Sequence, residues 1–170
     1  ATVELPEGTG EGPTDPPAAK LDEEAFRDGL RRNKVDNDLV DFALEMMRDL
    51  ENHGCVIEWK TASYVVRAPD PTEEGRKLTL LVVDVTGHAY TGWLSRQLEN
   101  IGLPKQIALD YAKESADIFG VPVHHKHVDS WGKLPNLRQV REKYEDLRGL
   151  IEETVDAIRS AAAAQADEPL

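Results

Sequence analysis

The stretch "CVIEWKTASYVVRA", residues 55–68, carries the clearest secondary-structure signal in the chain. In 55–60 Cys55, Ile57 and Trp59 alternate with Val56, Glu58 and Lys60, and residues 63–68 follow after a turn of two or three residues, which is typical of two β-strands joined by a short turn. A third segment, "RKLTLLVVDV" at 76–85, follows an acidic loop that contains proline. Its nearly unbroken apolar run predicts a central strand covered on both faces. The turn at 86–90 leaves room for a short fourth strand.

Helical patterns lie on both sides of these strands. Apolar residues at helical spacing predict two helices before residue 54 and two more between residues 93 and 119. The segment "VPVHHKHV", 121–128, is interpreted as a short extended piece, and Asn136 with Gln139 predicts the capping-box start of a last helix. The fold class is therefore α+β: a small, mainly antiparallel sheet of three to five strands flanked by helices, with a long C-terminal helix.

The composition divides the chain into four parts. Residues 1–20 contain four prolines and three glycines with few bulky apolar side chains, which predicts a disordered acidic linker and suggests a further domain upstream. Residues 21–134 are expected to form the α+β domain and 135–165 the long helix, with a tail at 166–170.

Charge and cysteine content exclude several classes of function. A formal net charge of −12 argues against direct binding to nucleic acid or to an anionic membrane, because both require positive surface. A single cysteine, Cys55, cannot form an internal disulfide and suits a reducing cytoplasm. No apolar run approaches the roughly 20 residues that span a bilayer. We therefore predict a soluble, cytoplasmic protein.

The last helix carries a heptad stripe. Its apolar or small residues recur at alternating spacings of three and four. They are Leu137, Val140, Tyr144, Leu147, Ile151, Thr154, Ile158 and Ala161. From residue 136 to 164 the helix would span about 43 Å, whereas a domain of this size has a radius of gyration of about 15 Å. This mismatch predicts a homodimer, or another protein partner, held through the stripe. Packing of the helix on its own domain is the alternative.

Histidines are concentrated in the segment that follows residue 120. On an extended strand His125, His127 and Asp129 would share one face, and His88 could join them to form an imidazole–carboxylate site for zinc, iron or manganese. The alternative is that these histidines form the solvated end of a strand that begins in the core. We expect the protein to need no cofactor. A divalent metal ion is the one alternative that the histidine pattern allows.

Glu58 and Lys60 form an acid-x-Lys pair on the first strand, with Asp84 as a candidate second acid on the third strand. This tripeptide resembles half of the signature of the restriction-endonuclease-like nucleases. In that family the carboxylates bind magnesium and the lysine helps to orient the attacking water. The chain order differs, since a helix precedes the pair here. Charge pairing across strands is the alternative explanation.

Several aromatic residues lie around the predicted strands. Trp59, Tyr64, Tyr90 and Trp93 could line a small-molecule pocket with Arg67 and His88 as its polar contacts, although a core role is the alternative. Taken together, these patterns favour a non-enzymatic interaction or regulatory module of a larger bacterial-type assembly, self-associating through its C-terminal helix. A metal-dependent hydrolase or nuclease that uses the acid-x-Lys pair is the competing interpretation.

Overall fold

The computed structural model describes residues 19–73 and 75–166, so most of the predicted linker and all but one residue of the predicted tail lie outside the described residues. Two helices come first, α1 (Glu23–Arg32) and α2 (Asn37–Asn52). The strands are β1 (Val56–Trp59), β2 (Ser63–Pro69), β3 (Lys77–Asp84) and β4 (Ala89–Tyr90). The remaining helices are α3 (Leu94–Asn100), α4 (Gln106–Phe119), α5 (Leu137–Glu142) and α6 (Tyr144–Ala166). The α+β class is confirmed.

The four strands form one antiparallel sheet in chain order, β1-β2-β3-β4. Residues that pair across neighbouring strands have their side chains on the same face of the sheet, so the pairing assigns each residue to one of two faces. The covered face carries Tyr64 paired with Val83, and Val66 paired with Leu81, all fully buried. The open face carries Glu58, Val65 and Val82 in one row, and Arg67 beside Thr79 in the next.

A β-bulge in β3 decides which residues reach the open face. Val66 pairs with Leu81, whereas Arg67 pairs with Thr79, so Leu80 is the extra residue. Thr79 and Val82 therefore share a face although they are three residues apart. Leu80 is fully buried, and its carbonyl oxygen accepts a hydrogen bond of 2.8 Å from the Tyr111 hydroxyl of α4.

The core lies between the covered face and the helices. Phe26 of α1 packs against Trp59 and Tyr64, with ring centroids 5.6 and 5.2 Å away. The Tyr64 hydroxyl donates to the carbonyl of Ala43 in α2 at 2.8 Å. Because Tyr64 is fully buried, this bond satisfies a hydroxyl that would otherwise be left unpaired in the core.

The C-terminal helix is long, but it does not start at residue 136. The predicted capping box of Asn136 and Gln139 is present, yet it opens only the short α5, and the chain leaves helical geometry at Lys143. The 23 residues of α6 span about 34 Å rather than the expected 43 Å. Six stripe residues are at most 5% exposed within the single chain. They are Leu137, Val140, Leu147, Ile151, Thr154 and Ile158.

The physical reason given for a second chain is therefore wrong, because α6 packs along α4 and α5 packs against α2. Tyr144 is only partly buried, and it contacts α2 through the Phe42 ring at 5.8 Å. Near the far end of α6, the Gln165 side chain donates to the carbonyl of Gly102 at 3.0 Å. Self-association itself is not tested by these contacts and stays a prediction.

A polar network fixes the start of α6 on α2. The Tyr144 hydroxyl and the Arg148 guanidinium both donate to the same carboxylate oxygen of Asp49. The hydrogen bond from Tyr144 is the main reason that the pKa of Asp49 lies below its ordinary value, and Arg148 and His53 act in the same direction. The network holds the chain just after the break at Lys143.

Replacing Tyr144 with phenylalanine is expected to lower the free energy of unfolding by about 1.5 kcal/mol at neutral pH, since a hydrogen bond to a charged group is lost. A carboxyl whose folded pKa is depressed stabilises the fold above its unfolded pKa, which is about 3.9, and loses that contribution as pH falls through the folded pKa. The difference between wild type and Y144F, measured by urea unfolding, should therefore shrink below about pH 4. An equal effect of Y144F in an Asp49→Asn background would contradict this pairing.

None of the helices in residues 19–73 and 75–166 combines the length and the apolar character needed to cross a membrane.

Candidate functional site

A groove of about 300 Å³ lies on the open face of the sheet. We call it the sheet groove. It is lined by Lys60, Ser63, Val65, Arg67, Thr79, Val82, Tyr90, Trp93 and Gln97. Val65 and Val82, each 5% exposed, form its apolar floor. Polar side chains surround this floor, an arrangement common in small-molecule sites.

Two cations line the groove while the carboxylate beside them is already paired. The Glu58 carboxylate lies 3.0 Å from the Lys60 amine, 3.2 Å from the Arg67 guanidinium and 3.6 Å from the Lys77 amine. The hydrogen bond from Lys60 is the main influence that keeps the pKa of Glu58 below its ordinary value, with Arg67 and Lys77 adding to it against partial desolvation. Three positive charges thus surround one negative charge, and Glu58 is not itself part of the groove lining.

Arg67 is the least exposed of these three cations. Its Nη1 donates to the Thr79 hydroxyl at 2.9 Å, and its side chain is 18% exposed. Its Nε is buried and has no hydrogen-bond partner among the described residues. A buried donor without a partner costs free energy until something accepts its hydrogen bond. Because Nε is covered by protein atoms, a ligand in the groove could contact only the terminal nitrogens of this guanidinium.

Helix α3 closes one side of the groove through Gln97. The Gln97 side-chain oxygen accepts from the Thr79 backbone N–H at 2.7 Å, and its amide nitrogen donates to the Thr79 hydroxyl at 3.0 Å. A strand edge presents unpaired backbone groups, and here a side chain takes the place of another strand. This contact positions α3 and the aromatic residue that precedes it.

Two aromatic rings border the groove on that side. Tyr90 on β4 and Trp93, just before α3, have ring centroids 5.9 Å apart. Trp93 is 45% exposed, which is unusual for so large an apolar side chain. Its ring therefore offers a flat surface to any molecule bound in the groove.

The predicted catalytic residues are only partly brought together. Glu58 and Lys60 are adjacent, as the tripeptide predicted, and they form the ion pair described above. Asp84 of β3 pairs with Ser63 of β2, and Glu58 of β1 pairs with Val65 of β2. Strand β2 therefore lies between the two carboxylates. Asp84 instead accepts hydrogen bonds from the backbone N–H and the hydroxyl of Thr86 and closes the β3–β4 turn.

The histidine segment is a turn rather than a strand, which corrects the predicted alternation. Val123 bridges Trp131, and the chain between them folds back. His124 lies in the middle, with the His125 ring stacked at 4.8 Å and the His127 ring at 5.0 Å. Its Nδ1 accepts from the backbone N–H groups of Lys126 and His127 at 3.1 and 3.0 Å. Partial desolvation and then the neighbouring His125 lower the pKa of His124.

The four candidate metal ligands do not assemble. Asp129 accepts from the Ser95 hydroxyl, whereas the His88 ring lies 3.0 Å from the Thr86 hydroxyl in the β3–β4 turn. Across residues 19–73 and 75–166, no group of three or more His, Cys, Asp or Glu side chains is placed to hold a metal ion. His125 and His127 are exposed beside His124.

The predicted aromatic pocket divides between the two faces of the sheet. Tyr90, Trp93 and Arg67 line the groove, whereas Trp59 and Tyr64 belong to the core with Phe26. The sequence interpretation missed Thr79 and Gln97. Thr79 is the one polar side chain inside the apolar run 78–83, and that interruption was the available signal. Cys55 is buried as predicted, and desolvation raises its pKa to about 11.

No protein-family model, curated protein or solved structure matches this chain.

Proposed function

We propose that the protein is a non-catalytic binding module that takes up an anionic partner in the sheet groove. The observation that carries this proposal is the sign of the local charge. Lys60 and Arg67 line the groove, and no acidic side chain does so among the described residues, although the whole chain carries −12. A concentration of positive charge in an acidic protein is most simply explained by a negative ligand.

The hydrogen-bonding state of Arg67 supports the same proposal. The guanidinium is oriented by Thr79 and by Glu58, so little side-chain entropy remains to be lost when a ligand binds. An arginine held in this way presents donors suited to a carboxylate or a phosphate.

The groove offers little to a chemical mechanism. Glu58 is engaged by three cations and its pKa is lowered, so it is poorly suited to act as a general acid near neutral pH. Asp84 is separated from it by β2, as described above. We therefore do not propose a metal-dependent hydrolase or nuclease. Self-association through the heptad stripe is also left out, because the chain itself covers that stripe. The single, buried cysteine suits a cytoplasmic location for such a module.

Replacing Arg67 with glutamine is expected to weaken the binding of acetate by roughly tenfold, since a hydrogen bond to a charged group is lost. Sodium acetate would be titrated into isotopically labelled protein at constant ionic strength, with sodium chloride as the balancing salt. Chemical-shift changes at the amides of Val65, Thr79 and Tyr90 would report occupancy of the groove.

Arg159→Gln is the matched control, since Arg159 lies on α6 and is 61% exposed. It should leave acetate binding unchanged. Shift changes spread over the surface, or equal affinities for wild type and R67Q, would contradict an anion site in the groove.

A further inference from the structure

A second cavity, of about 670 Å³, adjoins the sheet groove. Both are lined by Trp93 and Gln97, so one ligand could occupy the two together. We call the second one the polar cavity. Its lining comes from residues 91–93, 95–97 and 99–100 around α3 and from residues 127 and 129–130 of the histidine turn.

The charge of the polar cavity differs from that of the sheet groove. The polar cavity is lined by one arginine, Arg96, and by two carboxylates, those of Glu99 and Asp129, whereas the groove presents Lys60 and Arg67. A ligand with many negative charges, such as a nucleic acid, would meet repulsion in the polar cavity. A ligand with one anionic group and a neutral body avoids it, because its anion can stay in the groove.

The polar lining also constrains the neutral body of the ligand. Ser95, Asn100 and Ser130 supply hydroxyl and amide groups, and the two carboxylates accept hydrogen bonds. The Ser95 hydroxyl already donates to Asp129, and the Ser130 hydroxyl donates to the carbonyl of His127, so both hydroxyls still offer acceptor positions to a ligand. A ring that carries several hydroxyls pairs with them, while its C–H face can lie against the exposed Trp93 ring.

We propose that the groove and the polar cavity together bind one acidic sugar. Its single carboxylate or phosphate would contact Arg67 and Lys60, and its hydroxylated ring would cross Trp93 into the polar cavity. This inference rests on the proposed function, which supplies the anion site, and adds the chemical class of the ligand.

Calorimetric titration of the full chain tests the proposal with four probes. Glucuronate and glucose 6-phosphate carry both parts, and their comparison separates carboxylate from phosphate. Acetate carries the charge alone, and methyl glucoside carries the ring alone. At least one of the two acidic sugars should bind roughly tenfold or more tightly than acetate and than methyl glucoside, since each of these lacks one set of hydrogen bonds.

Two variants assign the extra affinity to the polar cavity. Asn100→Ala should weaken acidic-sugar binding several-fold and leave acetate binding unchanged, and because Asn100 is exposed this substitution is compatible with folding. Trp93→Ala should lower the affinity for the acidic sugar to a value close to the affinity for acetate. Because Trp93 is 45% exposed, this substitution is compatible with folding.

The outcomes separate the two proposals. Equal affinities for acetate and both acidic sugars, all lost in R67Q, would overturn the proposal of an acidic-sugar ligand and leave the proposal of an anion site intact. Methyl glucoside bound as tightly as the acidic sugars would overturn the anion site. Failure of all four probes to bind would overturn both.

Discussion

Replacing Phe26 with alanine is expected to lower the free energy of unfolding by about 3–5 kcal/mol, the range for a buried aromatic residue that leaves a cavity. Phe26 is fully buried and contacts Trp59 and Tyr64, which themselves lie 5.8 Å apart. Such ring pairs each contribute about 0.5–1.5 kcal/mol beyond their buried area. The substitution removes the contact that fastens α1 to β1 and β2.

Urea unfolding followed by circular dichroism would measure this loss. Phe26→Leu is the matched control and should cost clearly less, because most of the apolar volume is retained. Acetate binding should persist in the folded fraction of Phe26→Ala, since the sheet groove lies on the opposite face. Nearly equal stabilities for wild type and the alanine variant would show that α1 is not held by this cluster.

Replacing Ile151 with alanine is expected to lower the free energy of unfolding by about 2–5 kcal/mol, as for other large-to-small changes in a core. Ile151 is 1% exposed in the single chain and lies in the middle of the heptad stripe. Because the chain itself covers the stripe, the loss should not depend on protein concentration. A stripe shared between two chains would instead give a stability that rises with concentration.

Unfolding would therefore be measured over a wide range of protein concentrations, with light scattering to give the mass. Glu153→Ala on the exposed side of α6 is the control and should change stability by no more than about 0.5 kcal/mol. A dimer whose stability falls in Ile151→Ala in a concentration-dependent way would restore the association predicted from the sequence.

Local patterns predicted the elements but not all of their packing. Alternation in residues 55–60 identified β1, and the segment 63–68 after a short turn identified β2. The second segment does not alternate, because both faces of β2 are largely buried. The break at Lys143 was invisible to the same reasoning, since the heptad spacing continues across it from Val140 to Leu147. The apolar stripe is continuous in sequence, while the helix that carries it is not.

The candidate site was predictable only in part, because its residues meet through tertiary contacts. Arg67, Tyr90 and Trp93 were expected near one pocket, and they line the groove. Trp59 was assigned to the same pocket because nearness in sequence does not say which face of the sheet forms the pocket. Gln97 had no sequence signal, since its role depends on the edge of β3.

The histidine segment shows a different limit. Alternation assumes an extended chain, and the segment does begin with a bridge between Val123 and Trp131. The imidazole of His124 then accepts two backbone N–H groups and turns the chain back. Local hydrogen bonds of this kind compete with strand pairing, and spacing alone does not reveal them.

The bulge at Leu80 decides which side chain of β3 stands opposite Arg67. In a regular ladder of the same sequence Leu80 would occupy that position, and Thr79 would turn toward the core and away from Arg67 and Gln97. Deletion of Leu80 would instead remove the bulge and keep Thr79 opposite Arg67, at the cost of the carbonyl that accepts from Tyr111. A shortened β3 would therefore preserve the ligand environment, whereas a straightened one would lose it.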